Sequence, residues 1–405
     1  MRRLVQLACL SGLGLLPVIV PAQDFTLHAY IDARLVAAPD ETSWTNGGLG
    51  KTRFGGGDTT VKFGGAAVAG IAQLTPALLA FADLQFQTTD RPTMDVIEAY
   101  LRYRPVSTSR WRWSVQAGTF VPPVSLENDA IGWTSPWTLT PSAINSWVGE
   151  EIRATGGEAR LEWRGDVSTY ELRTALFQRN DPAGKLLAVR GWSLSDLTYG
   201  LGSRLRQPDA TYDQPANRYD PFQKIGNRYG WYADLSWHAT GLGKLSLMHF
   251  DNRADPAAHT GDGDGNGVFA WHTRFWSLGG STDTGPITWI AQAMDGSTII
   301  EPVDGLQFKT RFRSAFLLAG WNRGRWRPTL RVEHFSTDDL PSTPGVIQGE
   351  HGNAVTAALN WRPRSWLRFT AEVLRINSVR TERVDLGLAP ASDITQVQLG
   401  VRLIY

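Results

Sequence analysis

The chain has 405 residues, and its 40 lysines and arginines nearly balance its 39 aspartates and glutamates. Such a near-neutral chain lacks the basic excess of nucleic-acid-binding proteins, so a nucleic-acid partner is excluded. The single cysteine, Cys9, excludes a disulfide-stapled scaffold.

The first 22 residues have the pattern of an export signal. Arg2 and Arg3 precede an apolar stretch over residues 4–20, and Val20-Pro21-Ala22 has the small-residue character of a cleavage site. Because Ser, Gly and Pro interrupt the apolar stretch, a retained membrane helix is the less favoured alternative. We predict a signal peptide at 1–22 and a single mature domain at 23–405. Removing Arg2 and Arg3 would leave 38 basic and 39 acidic side chains and no cysteine.

Alternation of apolar and polar residues recurs along the mature chain. Near the C-terminus, for example, Val397, Leu399 and Val401 alternate with Gln398 and Gly400. A period of two over about ten residues is typical of a strand with one apolar face. The pattern predicts sixteen strands, at 25–37, 58–73, 77–89, 94–105, 110–121, 155–164, 167–180, 229–239, 243–253, 267–279, 286–296, 306–321, 325–336, 353–362, 366–377 and 394–405.

The connections between these strands alternate in length. Short turns at 74–76, 106–109, 165–166, 240–242, 280–285, 322–324 and 363–365 alternate with mostly longer loops at 38–57, 122–154, 181–228, 254–266, 297–305, 337–352 and 378–393, although 90–93 is short. Tryptophans flank the short turns, as in the aromatic girdle of a membrane barrel. We predict an all-β, transmembrane antiparallel β-barrel of about 16 strands in the bacterial outer membrane, with short periplasmic turns and long extracellular loops. A soluble sandwich with tryptophans in its core is the alternative.

Residues 116–127 read QAGTFVPPVSLE, and residues 330–339 and 358–363 read LRVEHFSTDD and ALNWRP. These three segments resemble the phosphate-selective porin O/P family, in which a segment like 116–127 ends a strand and opens a long loop. The resemblance implies a 16-stranded, trimeric channel. No run matches the family's phosphate-binding arginines, so the resemblance does not extend to phosphate selectivity.

Basic residues dominate the polar face of the predicted strands. If the apolar face meets lipid, that polar face lines the channel and attracts anions. The predicted channel-lining, anion-binding residues are Lys309, Arg311, Arg313, Arg102, Arg173, Arg274 and Arg331. The alternative is that these cations only form ion pairs with acidic residues on neighbouring strands.

The loop at 122–154 is too long for a simple turn. We predict that it folds inward as a constriction loop and presents Glu127, Asp129, Glu150 and Glu151 to the basic wall. An external loop packed on a neighbouring subunit is the alternative. The loop at 181–228 is predicted to be an outer lid.

Two further motifs point to chemistry other than transport. Asp262-Gly-Asp264-Gly-Asn266-Gly267 begins like a calcium loop, but Thr273 stands where a bidentate glutamate is required. His334-x-Ser336 resembles the spacing in outer-membrane phospholipase A barrels, which makes a hydrolase one alternative. A non-conducting structural or adhesive barrel is another.

The sequence therefore predicts a porin, not an enzyme, that passes small polar solutes by passive diffusion with a weak anion preference. We expect no cofactor and no bound metal. The expected partners are outer-membrane lipid, lipopolysaccharide, small polar or anionic solutes, and copies of the chain in a homotrimer.

Overall fold

The computed structural model describes residues 24–88, 92–208, 218–261, 267–340 and 349–405. The predicted signal peptide and the calcium-like stretch at 262–266 lie outside these residues. In the part of the chain that is described, no helix is long and apolar enough to cross a membrane.

Sixteen antiparallel strands of the described residues form a closed barrel. Each strand pairs with the next, and β1 closes the ring against β16, with Tyr30 opposite Ile404. Closure pairs every backbone edge, which a strand within lipid requires. The strands are β1 Asp24–Ala37, β2 Thr59–Gln73, β3 Leu78–Thr88, β4 Pro92–Tyr103, β5 Trp111–Phe120, β6 Ala154–Arg164, β7 Ser168–Gln178, β8 Gly230–Ala239, β9 Gly243–Asp251, β10 His272–Thr284, β11 Ile287–Val303, β12 Leu306–Trp321, β13 Trp326–Leu340, β14 Gly349–Arg364, β15 Leu367–Arg380 and β16 Ala391–Ile404.

The predicted sixteen strands and the barrel are confirmed, with one clear difference in the connections. The predicted long loop at 297–305 is a two-residue turn, because β11 runs to Val303 and β12 starts at Leu306. Gly305 in that turn has a φ of +77°, which a glycine adopts without steric cost. The resulting hairpin is the longest in the barrel wall.

The outer face of the barrel is apolar at the level of the short turns. On β16, Leu399 and Leu403 point outward and are exposed, whereas Gln398 and Arg402 point inward and are buried. Exposed tryptophans ring the short-turn end, and the rings of Trp326 and Trp361 stack with centroids 5.5 Å apart. An outward apolar band of this kind faces the hydrocarbon of a membrane, and the tryptophans form the aromatic girdle at the membrane interface.

Within the described residues, the inside of the barrel holds two helices that belong to connecting loops. These are α1 at Ala143–Glu151, all of whose residues are buried, and the shorter α2 at Lys185–Val189. Trp147 of α1 packs against Phe275 of β10 and Phe312 of β12, with ring centroids 5.5 and 5.1 Å apart. The interior therefore contains a packed aromatic core as well as polar wall residues. Shorter elements are 3-10 turns at Trp44–Asn46, Ile131–Trp133 and Thr381–Leu386, and a pairing of Leu205–Arg206 with Arg218–Tyr219.

Candidate functional site

The connection from β5 to β6, residues 121–153, crosses the inside of the barrel. It leaves the wall at Phe120 and returns at Ala154, yet its middle contacts β13, which lies eight strands from β5 in a ring of sixteen. Strands separated by half the ring face each other across the bore. We call this segment the crossing loop.

Arg331 of β13 is the main anchor of the crossing loop. Its guanidinium donates to Glu127 Oε1 at 2.5 Å and to the carbonyl oxygens of Thr140 and Pro141 at 2.9 and 3.0 Å. It also pairs with Glu333 on its own strand at 2.9 Å. Both ion pairs are completely buried. Five donors in a fixed planar fork let one arginine satisfy several acceptors at once.

Two wall carboxylates hold the backbone of the same loop. Glu372 accepts hydrogen bonds from the backbone N–H groups of Leu139 and Thr140 at 2.5 and 3.1 Å. Glu333 accepts from the N–H of Ala143 at 2.7 Å, in the first turn of α1. The unpaired N–H groups and the dipole of a helix N-terminus favour a carboxylate there. The loop is therefore fixed to the far wall over residues 139–143.

Two of the remaining predicted acids of the loop, Glu150 and Glu151, do not face the basic wall. Glu150 pairs with Arg190 at 2.6 Å, and Glu151 accepts from Gly184 N and from the Tyr219 hydroxyl at 3.0 and 2.7 Å. Those partners belong to the next loop, at 179–229. Burial raises the pKa of both carboxyl groups above the usual range of glutamate. Asp129 is exposed. Of the four predicted acids, Glu127 is the one whose described contacts include an arginine of the wall.

The loop at 179–229 also enters the barrel, so the prediction that it forms an outer lid is wrong for its first half. Trp192 packs 6.1 Å from the ring of Phe312 on β12 and donates to the carbonyl of Ser336 on β13. Asp196 pairs with Arg34 of β1 at 2.7 Å. The sequence pattern did not reveal this, because a loop's polar composition is the same whether its partners are water or wall residues.

Three of the predicted lining cations are on the inner face of the wall. They are Arg102 on β4, Arg173 on β7 and Arg331 on β13. Arg102 donates to Gln116 at 2.7 Å, and Arg173 pairs with Glu171 on its own strand. Arg173 and the neighbouring Arg160 keep 28% and 31% of their side-chain surface exposed. Water therefore reaches this part of the inner wall.

The other four predicted lining cations face outward, which corrects the prediction. Residues that alternate with them, such as Phe312, Ser314 and Phe275, are buried inside the barrel, whereas Lys309, Arg311, Arg313 and Arg274 lie on the opposite face. The prediction assumed that the more apolar face of each strand meets lipid. On β12 the face with Phe312 instead points inward, and Phe312 packs against Trp147 of the crossing loop. On β10 Phe275 packs inward against the same tryptophan, while Trp276 and Leu278 face outward beside Arg274.

Some anchoring residues were missed altogether by sequence reasoning. Lys51, from the loop at 38–58, forms a buried ion pair with Glu350 of β14, and Arg53 donates to the carbonyl of Gly64 at 2.6 Å. Burial lowers the pKa of Lys51 below that of a free lysine. Isolated charges in a polar loop carry no pattern that would distinguish them from solvated ones.

Comparisons with known proteins identify the fold. No protein-family model matches the sequence, and none of the curated proteins matches it. Among solved structures, the chain is similar to the outer membrane channel DcaP of Acinetobacter baumannii, with a TM-score of 0.54, 11% identity and coverage of 94% of this chain and 97% of that one. It is also similar to an anion-selective porin from Comamonas acidovorans, with a TM-score of 0.51, 12% identity and coverage of 94% and 99%.

A third similar structure is a loop-deletion mutant of OmpT, an outer membrane protein of Vibrio cholerae, with a TM-score of 0.53, 12% identity and coverage of 94% and 99%. At this level of identity the likeness concerns the fold. The particular resemblance to phosphate-selective O/P porins stays a prediction. The closed sixteen-stranded wall and its outward apolar band are those of a bacterial outer-membrane β-barrel.

Proposed function

We propose that this protein is an outer-membrane porin that passes small polar solutes by passive diffusion. The observation that carries the proposal is the crossing loop, which traverses a sixteen-stranded barrel and is anchored on the opposite wall by Arg331. A loop held in this way narrows the bore without closing it, while water still reaches the inner arginines Arg160 and Arg173. A barrel of this strand number normally leaves an aqueous passage.

Planar bilayers test this proposal directly. The purified barrel should give stepwise single-channel currents, and a salt gradient should give a reversal potential on the anion-selective side. Many inner arginines are paired with acids, as Arg173 is with Glu171, so we expect that preference to be weak. A cation-selective reversal potential would contradict the anion preference. The absence of any conductance from heat-modifiable, folded protein would contradict the porin proposal.

We propose that the outward cations of β12 bind phosphorylated glycolipid. Arg313, Arg311 and Lys309 lie eight, ten and twelve residues along the strand from Trp321, which is exposed at the short-turn end. With about 3.3 Å per residue and a tilt of about 40°, they stand about 20, 25 and 30 Å above that tryptophan. The apolar band of such barrels is about 25 Å tall, so these cations reach the level of the outer-leaflet phosphates.

We also propose a homotrimer, as the resemblance to trimeric porins implies. A shallow outward groove runs along β12–β16, lined by alanines such as Ala319 and Ala357 and by larger apolar residues such as Leu399, and it offers an apolar surface for packing. Cross-linking of the detergent-solubilised protein should yield a three-chain species, and a single-chain species alone would contradict the proposal.

One observation favours a non-conducting barrel instead. Loops 38–58, 121–153 and 179–229 all send buried segments into the interior, and α1 is wholly buried. If these segments close the bore, the protein would serve a structural or adhesive role. The same bilayer measurement decides between the two functions, because a closed barrel gives no steps.

A specific contact also favours a hydrolase as a further alternative. On the outward face, His334 Nδ1 lies 2.9 Å from Asn353 Oδ1, and Ser336 shares that face two residues along β13. Asparagine can orient a histidine base toward a serine. Among the described residues no hydrogen bond joins Ser336 Oγ to His334, so the channel is proposed first. Release of fatty acid from phospholipid vesicles, lost in both His334→Ala and Ser336→Ala, would establish the hydrolase.

A further inference from the structure

One arginine stands on the inner face of each of four adjacent strands, close to the short-turn end. Arg368 of β15 is directly opposite Arg402 of β16 in the strand register. We call the set the arginine row; its members are Arg327, Arg362, Arg368 and Arg402. Like charges directly opposite each other on neighbouring strands destabilise a sheet.

Two members of the row have partners within the protein. Arg402 donates to Asp32 at 2.8 and 3.0 Å and to the hydroxyl of Thr134 at 3.1 Å. Arg327 lies over the ring of Trp137, 4.5 Å from its centroid. A third, Arg362, is exposed to solvent. Their charges are therefore stabilised by an acid, a ring or water.

Arg368 differs from the others. It is 2% exposed, and no acceptor among the described residues lies within hydrogen-bond distance of its Nε and Nη2. Among the described residues, the acid that acts electrostatically on Arg368 is Asp32, and it is already engaged, because it binds Arg34 and Arg402. Buried guanidinium N–H groups without an acceptor are destabilising, so Nε and Nη2 of Arg368 indicate a place for an anionic partner.

We propose that the arginine row binds a small oxyanion, with Arg368 as its central ligand. Nε and Nη2 of one guanidinium form the fork that matches two oxygens of a carboxylate, sulfate or phosphate group. The exposed Arg362 next to it provides an approach from the short-turn opening. The proposal deepens the proposed porin function by naming the solute class that this site would hold within the bore, and it rests on that function.

Equilibrium dialysis with radiolabelled sulfate tests the site on the folded, detergent-solubilised barrel. We expect saturable binding by the wild type and at least a tenfold weaker affinity in Arg368→Gln, since a charged hydrogen bond contributes about 1.5–3 kcal/mol and 1.4 kcal/mol is tenfold. The matched control is Arg375→Gln, on the same strand but facing outward and 58% exposed in its pair with Asp393. That variant should bind sulfate as the wild type does.

Unsaturable binding by the wild type, or equal affinity in Arg368→Gln, would overturn the site. Heat-modifiable migration shows that each variant is folded, and a second variant, Arg368→Lys, keeps the charge without the fork and should bind with intermediate affinity. Competition by acetate or phosphate distinguishes carboxylate from phosphate preference. Because dialysis requires no conduction, sulfate binding without bilayer currents would contradict the porin proposal and leave the site intact.

Discussion

Replacing Arg331 with methionine should release the crossing loop while the barrel wall stays folded. The wild-type side chain holds Glu127 and the carbonyls of Thr140 and Pro141, all on that loop, and Glu333 on its own strand. Methionine fills similar space but donates nothing. Glu127 and Glu333, both fully buried, would then lack their shared cation.

The size of the effect follows from that burial. Removing one partner of a buried ion pair costs about 3–5 kcal/mol, which is a shift of about two to three and a half powers of ten in an equilibrium constant. The substitution should destabilise the loop and not the wall, because the wall strands keep their backbone pairing and the least stable element of a protein opens first. Glu372 still binds Leu139 and Thr140, so the loop is loosened rather than expelled.

Hydrogen–deuterium exchange of peptides within 137–151 is the direct assay. We expect exchange about a hundredfold faster in Arg331→Met, together with larger and noisier single-channel currents. The exposed pair of Arg375 with Asp393 offers a control, because Arg375→Met removes a contact worth at most about 1 kcal/mol. Adding Glu127→Gln to Arg331→Met should restore much of the protection, since it removes one stranded charge. If folded Arg331→Met protects 137–151 as well as the wild type does, the anchoring role of Arg331 is wrong.

Three further changes test other parts of the structure. Gly320→Val should displace the loop and alter conductance, because a Cβ there would lie 2.1 Å from the ring of Trp137, whereas outward Ala315→Val on the same strand should not; equal currents in both variants would refute this. Burial lowers the pKa of Lys185 to about 8, so its stability penalty is complete below pH 8 and disappears as pH rises toward 10.5. Lys185→Met should therefore raise the guanidinium chloride concentration at the midpoint of unfolding at pH 7. This gain in stability over the wild type should shrink between pH 8 and 10.5, and a gain that grows over that range would contradict the expected direction. Replacing the three outward cations of β12, Lys309, Arg311 and Arg313, with glutamine should leave the reversal potential unchanged and should reduce the amount of glycolipid phosphate that co-purifies with the protein. A changed reversal potential with unchanged glycolipid phosphate would contradict the outward orientation of these side chains.

The same three cations show where sequence reasoning stops. Alternation places Lys309, Arg311 and Arg313 on one face of a strand, and the structure agrees that they share a face. Which side that face meets depends on what occupies the interior next to the strand. Trp147 and Trp192, which pack against Phe312 inside the barrel, come from loops more than a hundred residues away. No local pattern contains that information.

Loop placement follows the same logic. The length of 122–154 suggested an inward segment, but the partners of its acids were not predictable, and Glu150 and Glu151 bind the loop at 179–229 instead of the wall. Arg331 was predicted on the inner face, because it alternates along its strand with the apolar residues Leu330 and Val332. Its function as an anchor became visible once Glu127 and Pro141 were seen beside it.

The sequence by itself determined the barrel, because strand period, turn length and interfacial tryptophans are local responses to a membrane on one side and polar groups on the other. Each of these signals can be read from about ten neighbouring residues. The tertiary structure decided what fills the bore, and with it which face of β10 and β12 meets lipid. Within the described part of the chain it also left Nε and Nη2 of Arg368 buried without an acceptor, whereas Arg402 opposite it binds Asp32. Those outcomes depend on contacts between segments that are far apart in the chain and come together only when the barrel closes.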